Sequence, residues 1–586
     1  MPSCTLQHHF WRLPQCNLST GFSTIGGGDT NSINGGGNVI GGGKLNQTNG
    51  PYSTVSGGYT NIAAGAGATV AGGQLNQTAG NSPTVGGGSQ NQANSDCAVV
   101  SGGSMNQALG PGSAVGGGQL NIVTQLSGGI FSGFENNNDG EISVISGGEA
   151  NIINAGINHA TIGGGSRNAT SSSYTFIGGG IANIIGTTAT SATIAGGNGN
   201  QVLTAATNAT IGGGFQNFVY FPGATIAGGL GNQVRADFGF IGGGSANFVN
   251  NLANNGVVAG GSSNQLFGEC AAMLGGWTNL LCGDMTVLVG GCNNTINTAS
   301  DFSFLGGGEK NTIDVTSTHG FLGGGKSNKV TIGNYNSIVT GQCNCVGVAA
   351  ATGFDYGLIV NGCCNNTNNH YSTIVNGYCN QANGQFAFIG NGGDAASTIN
   401  NRANGSHAFI GNGIGNLAPG AFSFIGNGGS TVAATNNGVA GDYGFVGNGQ
   451  SNIINLGSDF SAIVGGFNNA TFANHNFIGG GTGNGILAAG NCSVIGGGKG
   501  NCIDSINSSI LGGLGNQIPA GMINAHITGS GMILSATVGN SNSLHANNLW
   551  LQPTTYFTYA GVAPVGTFNA GTVYVDTAAN NTLRVQ

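Results

Sequence analysis

The chain of 586 residues reads as all-β, a parallel β-roll or β-solenoid of about 31 coils of 15–21 residues each, closed by a small C-terminal β cap. Three observations lead there. One phrase recurs: STVSGGYTN at 53–61 returns as ATVAGGQLN fifteen residues later and as PTVGGGSQN fifteen later again. Glycine supplies 119 residues while only 5% of the chain is charged, against about 25% in an ordinary soluble domain. Val and Ile nonetheless recur throughout, which excludes disorder. The scarcity of proline and the lack of a strict Gly-X-Y period exclude collagen.

Taking the apolar residue three before the fixed glycine as position 0, copies begin at Ile25, Ile40, Val55, Val70, Val85 and Val100 and run to Ile510, 31 in all. Of the 30 spacings, 18 are fifteen residues, eight are seventeen, three are twenty-one and one is sixteen. A period this strict is the mark of a repeat architecture. Glycine costs about 1 kcal/mol per residue in a helix, so several per copy exclude one. Position 0 is Val or Ile in 27 copies, which is strand chemistry. Fifteen residues suffice for two short strands and two turns, one coil, with coils stacking about 4.8 Å apart. Position 0 is then the interior aliphatic column. Gly stands at +3 in every copy, marking a turn with positive φ or an approach too close for a Cβ. Asn stands at +6 in 29 copies (Asn31, Asn46, Asn61, Asn76 and Asn91 among them), the exceptions being Ala395 and Thr431. Asn tolerates the left-handed region and can bond from coil to coil. The longer repeats are expected to add residues after the Asn, as loops on one edge.

Position −1 points to the opposite face of its strand. It begins as Thr54, Thr69 and Thr84 and turns aromatic at Phe304, Phe321, Phe388, Phe409, Phe424, Phe445 and Phe477. An outward Phe ladder needs a cover, and another copy of the chain is the simplest one. The alternative is a flattened coil in which this column also faces inward. The rod is assigned to 21–516. Residues 1–20, with Cys4, Phe10, Trp11 and Cys16, form a cap or docking segment. Residues 517–586 form a cap, tip or attachment domain, in which AGTVYVDTAANNTLRV reads as two strands around a turn and WLQPTTYF as an aromatic cluster.

Sites that would imply chemistry are weak. Gly320–Ser327 (GFLGGGKS) matches the phosphate-loop pattern, but it is one repeat in phase, and a true loop needs a following helix. Glu135, Asp139, Glu141 and Glu149 are the nearest thing to a carboxylate cluster, in a segment, 127–149, that reads as irregular. No catalytic residue, cofactor or metal is expected, and the chain reads as non-enzymatic. Cys343, Cys364 and Cys379 share position +5 in three consecutive coils, beside Cys345 and Cys363. Free thiols, disulfides and a metal cluster all stay open for these five, since stacked Cα atoms fall in disulfide range. The N-x-S/T sequons include Asn46, Asn76, Asn168, Asn208, Asn469 and Asn507, several of them ladder residues. A net charge of −8 with no Lys/Arg stripe argues against nucleic acid. No apolar run is long enough for a spanning helix, and the N-terminal twenty residues do not read as a Sec signal peptide.

The stretch Tyr52–Ala66, YSTVSGGYTNIAAGA, resembles the head repeats of YadA-type trimeric autotransporter adhesins. The resemblance covers about residues 21–516, nearly 85% of the chain. It implies a left-handed β-roll, a homotrimer about the long axis, and binding to surfaces; similar repeats occur in viral and phage fibres. The stalk and membrane-anchor barrel of that family are not read in this sequence. The expectation is a structural subunit of an extracellular or virion-surface fibre, self-associating and open to end-to-end filament growth. An adhesin that uses loops or the C-terminal tip to contact a receptor or glycan is the alternative. An ice-binding solenoid comes third, because the Thr row gives way to Phe.

Overall fold

A computed structural model describes residues 21–534, apart from 348–354, 396–399 and 433–435, together with strands at Cys16–Asn17, Leu544–His545, Val573–Asp576 and Thr582–Val585. The chain forms two units, Met1–Gly324 and Gly325–Gln586. Both are parallel β-solenoid, about 33 turns in total, and the described residues include no helix.

In the first unit a coil is two two-residue strands joined by tight turns. Thr54–Val55 lies between Val39–Ile40 and Thr69–Val70, in register. Ile62–Ala63 lies between Gln47–Thr48 and Gln77–Thr78. The strands are short because glycine and left-handed residues bracket them, yet the turns join the ladder too. Tyr59 N–H donates to Gly73 O at 2.8 Å and Thr60 N–H to Lys44 O at 2.9 Å. Strands and turns alike thus bond mainly to the coil above or below, which a chain with so little side-chain bulk requires.

The core is thin and has three apolar or small columns. Position 0 is fully buried at Ile40, Val55, Val70, Val85 and Val100, while Ile25 is half-buried. Position +8 supplies the facing column (Ala63, Thr78, Ala93, Ala108, Val123, Ile153) and −2 a small one (Ser53, Ala68, Ala98, Ser113), all buried. Each coil thus buries a large aliphatic side chain at 0 and, in many coils such as those of Val123, Ile153 and Leu281, a second at +8, each worth about 1.5–3 kcal/mol.

The second unit has the same coil. Phe388–Ile389 lies between Thr373–Ile374 and Phe409–Ile410. Stacking passes residue 516: Gln517–Ile518 pairs with Cys502–Ile503, His526–Ile527 with Ser509–Ile510, and Leu544–His545 follows. In the first unit Cys16–Asn17 already pairs with Ser32–Ile33. Strand stacking is therefore longer at both limits than 21–516. The terminal hairpin pairs Val573–Asp576 antiparallel with Thr582–Val585. Residues 1–15 and the WLQPTTYF cluster lie outside the described residues.

Two expectations about loops are corrected. Segment 127–149 is not irregular: Gly129–Ile130, Asn137–Asn138 and Val144–Ile145 are in-register strands of ordinary coils. Two of the three long repeats also carry their extra six residues before the ladder Asn. Asn401 and Asn437, both fully buried, occupy the places that Ala395 and Thr431 would have held. Asn416 N–H donates to Asn401 Oδ1 at 3.0 Å, and Asn452 N–H to Asn437 Oδ1 at 3.0 Å. In these two repeats the six extra positions fall between the conserved glycine and its Asn, and the ladder register survives.

Candidate functional site: the ladders and the outward face

The Asn column is the polar spine of each coil. Asn61 is fully buried. Its backbone N–H donates to Asn46 Oδ1 (3.0 Å), its Nδ2 donates to Gly57 O (2.9 Å) and Gly73 O (2.8 Å), and its Oδ1 accepts from Asn76 N–H (3.0 Å). Asn31, Asn46, Asn76 and Asn91 are buried in the same pattern. The positive φ foreseen for this Asn belongs instead to the residue before it, as at Thr60 (55°), Leu75 (57°) and Gln90 (58°). The Asn keeps an ordinary φ, and both its backbone and its side-chain amide bond to the neighbouring coils. Asn46, Asn76, Asn168 and Asn469 are thereby hidden as sequons, whereas Asn208 and Asn507 are exposed at position −3.

Position −1 faces outward, not into a flattened coil. Phe388, Phe409 and Phe424 are half-buried and Phe445 is 39% exposed. Their rings stack at 4.9–5.0 Å between centroids and lie within 7° of parallel. Each ring is also laid down along its own strand over the glycine at +1. Phe409 Cε1 would touch a Gly411 Cβ at 3.5 Å, and Phe424 Cε1 a Gly426 Cβ at 3.4 Å. All nine phenylalanines at −1 have glycine at +1. Where −1 is small the bulk moves over, as in Gly129 with Phe131, Ala272 with Leu274 and Ser509 with Leu511. The pair thus keeps a level surface, and neither column holds a charged residue in any of the 31 coils. The other outward column, position +7, is mixed and includes Lys329 and Arg402.

A further aromatic column stands at −3 in the second unit. Tyr335, Tyr356, Tyr371, Phe386, His407, Phe422, Tyr443, Phe460 and His475 stack through nine consecutive coils at 4.5–5.2 Å. All nine have φ between 54° and 61°. Their faces are covered by their neighbours, so the column offers edges, not the flat platforms on which a sugar ring stacks. Aligning every repeat on position 0 would have exposed this column in the sequence.

The cysteines cluster as the repeat dictates. Cys343, Cys364 and Cys379 occupy successive +5 corners, with φ of 53°, 57° and 53°. Cys363 Sγ lies 3.5 Å from Cys364 Sγ. Burial, then hydrogen bonding to Cys364, pushes the Cys363 thiol up to about 11. Burial and the charge of Cys364 push Cys379 up to about 11 and also raise Cys343. Cys345 lies in the second strand, paired with Lys329 and Asn366. All eleven cysteines among the described residues are free thiols.

Nothing in the described residues assembles the other motifs into chemistry. Glu135, Asp139, Glu141 and Glu149 occupy four different columns, and Asp139 accepts from Thr124 Oγ1 and Asn137 Nδ2. After Lys326 and Ser327 comes the strand Lys329–Val330, where a phosphate loop needs a helix. A cleft of about 390 Å³ sits over Arg402, Leu417, Gly438 and Ile453, where Gly438 leaves the outward column without a side chain; Arg402 is its one titratable lining residue. No described helix is long and apolar enough to cross a membrane. No protein-family model matches the chain, and no curated protein matches it.

Proposed function

We propose that the chain is a non-enzymatic structural subunit of an extracellular or particle-surface fibre, in which solenoids associate side by side through the face at positions −1 to +1. The observation that carries this reading is the level, uncharged character of that face. The first unit presents 20 copies of it. At about 4.8 Å per coil and about 10 Å of strand width this is roughly 900 Å² of uncharged surface, in which Thr hydroxyls are interspersed with Val and Phe, near the ~800 Å² per partner of stable interfaces. A second copy of the chain is the natural occupant, because it carries the same axial repeat and its rows fit between rows. The resemblance to trimeric head repeats favours three copies. The adhesin alternative gains nothing from the −3 aromatics, whose faces are occupied.

Mass measurement of the full chain in solution tests the proposal. The native chain should run as a multiple of 57.6 kDa. Thr69→Lys with Thr225→Lys, two charges set on the face, should give monomer with an unchanged β spectrum. A native monomer at tens of micromolar would reject the reading.

A further inference from the structure

We propose that the Cys343–Cys364–Cys379 column, with Cys363 beside it, is a binding site for a soft monovalent d10 cation, Cu(I) or Ag(I), held between sulfurs of successive coils. The geometry of a ladder selects this class. In-register stacking relates one +5 residue to the next by translation, so Cβ atoms are separated by the same distance of about 4.8 Å as Cα atoms. A disulfide fits the Cα spacing but wants Cβ atoms about 3.5–4.5 Å apart, so it would have to pull two coils out of register. A linear sulfur–metal–sulfur bridge built from two bonds of about 2.3 Å spans about 4.6 Å and leaves the ladder as it is. Among the described residues no three Cys, His, Asp or Glu side chains already converge on a common point. The column therefore presents its sulfurs coil by coil as pairs, the arrangement a two-coordinate ion uses, and not as a ready three- or four-ligand cage.

Cys364 is the hub. It interacts with the thiols of Cys343, Cys363 and Cys379. Lys326 beside Cys343 and the Tyr378 hydroxyl beside Cys363 are the other polar neighbours. Cys343, Cys363 and Cys379 resist ionisation because each is partly desolvated and meets another sulfur, and a cation relieves that repulsion. The step is 2 RSH + M⁺ → [RS–M–SR]⁻ + 2 H⁺, with no change of oxidation state. Uptake should therefore strengthen as pH rises.

The test is titration of the reduced, full-length chain with Cu(I) under anaerobic conditions against a competing chelator, and separately with Ag(I). The expected result is at least one ion per chain with a sulfur-only environment by X-ray absorption. Cys364→Ser should lose it, and Cys492→Ser, at a separate exposed corner, should keep it. Serine already stands at the same left-handed corner at Ser263 and Ser451, so Cys364→Ser is compatible with the coil. Cys379→Ser is the second variant and should weaken uptake at least tenfold. Equal uptake by Cys364→Ser, no uptake by the native chain, or a Cys343–Cys364 or Cys364–Cys379 disulfide in the air-oxidised protein would overturn the proposal.

Discussion

Where two adjacent glycines stand at +2 and +3 they do different work, and Gly72 and Gly73 show it. Gly73 has φ of 84°, and a Cβ there would be driven into the carbonyl oxygen of Gly88. At Gly72 a Cβ meets nothing within 4 Å. Gly73→Ala should cost about 2 kcal/mol or more and Gly72→Ala less than about 0.5 kcal/mol, measured by denaturant unfolding. Asn61→Ala should cost about 2–4 kcal/mol, because it strands the Asn76 N–H and removes the bonds to Gly57 O and Gly73 O, of which the latter keeps only Tyr59 N–H. Asn61→Asp should be worse, since a carboxylate oxygen would then face both carbonyls. The raised thiols of Cys363 and Cys379 give the second unit an alkaline limit. Their contribution is intact below the unfolded value of 9.0 and is lost as pH climbs through about 11. Thermal melts from pH 8 to 11.5 should show this loss, and it should shrink in Cys363→Ser. The invariant letters at 0, +3 and +6 were legible because each is fixed by one inflexible demand. The left-handed corner at +5 was not, because Thr, Leu, Gln, Met and Cys all occupy it and the coil-to-coil bonds compensate the strain.

The strands themselves are two residues long, too short to be seen by alternation; only the period revealed them. Period alone placed the first strand, whose Val/Ile column is uniform. The second strand was hidden, because +8 ranges from Ala63 to Ile153 and Asn138 as the space beside position 0 varies. The inserted residues at 395–400 and 431–436 misled for a related reason: a count from position 0 cannot tell on which side of the Asn a loop leaves. The −3 column yields a test at this scale. His407 sits between Phe386 at 4.7 Å and Phe422 at 4.5 Å. His407→Ala breaks both contacts and should lower the stability of the second unit by about 1–2 kcal/mol, while His407→Phe should retain it. Equal effects from the two substitutions would show that the stack contributes nothing.

Across the molecule, stability is close to a sum over coils and their contacts, because each coil touches only its neighbours. Removing residues 62–76, one full period, joins Asn61 to Gln77 with every column intact. That variant should keep its β spectrum and melt within a few degrees of the parent. Removing 62–69 alone shifts inward residues outward and should abolish folding of the surrounding coils. The hydrogen bonds of the Asn spine add a sense of direction to this additivity. Most of these amides turn their carbonyl toward the N–H of the following coil and send an Nδ2 bond to its glycine, as Asn61 does to Asn76 and Gly73, while several, such as Asn121 and Asn136, also donate back to the carbonyl of the preceding Asn. A stack built from such one-way links has a plus end and a minus end, like an actin strand. Within each unit a further coil can continue this linkage only in one sense, so a second solenoid that extended it end to end would have to run in the same direction.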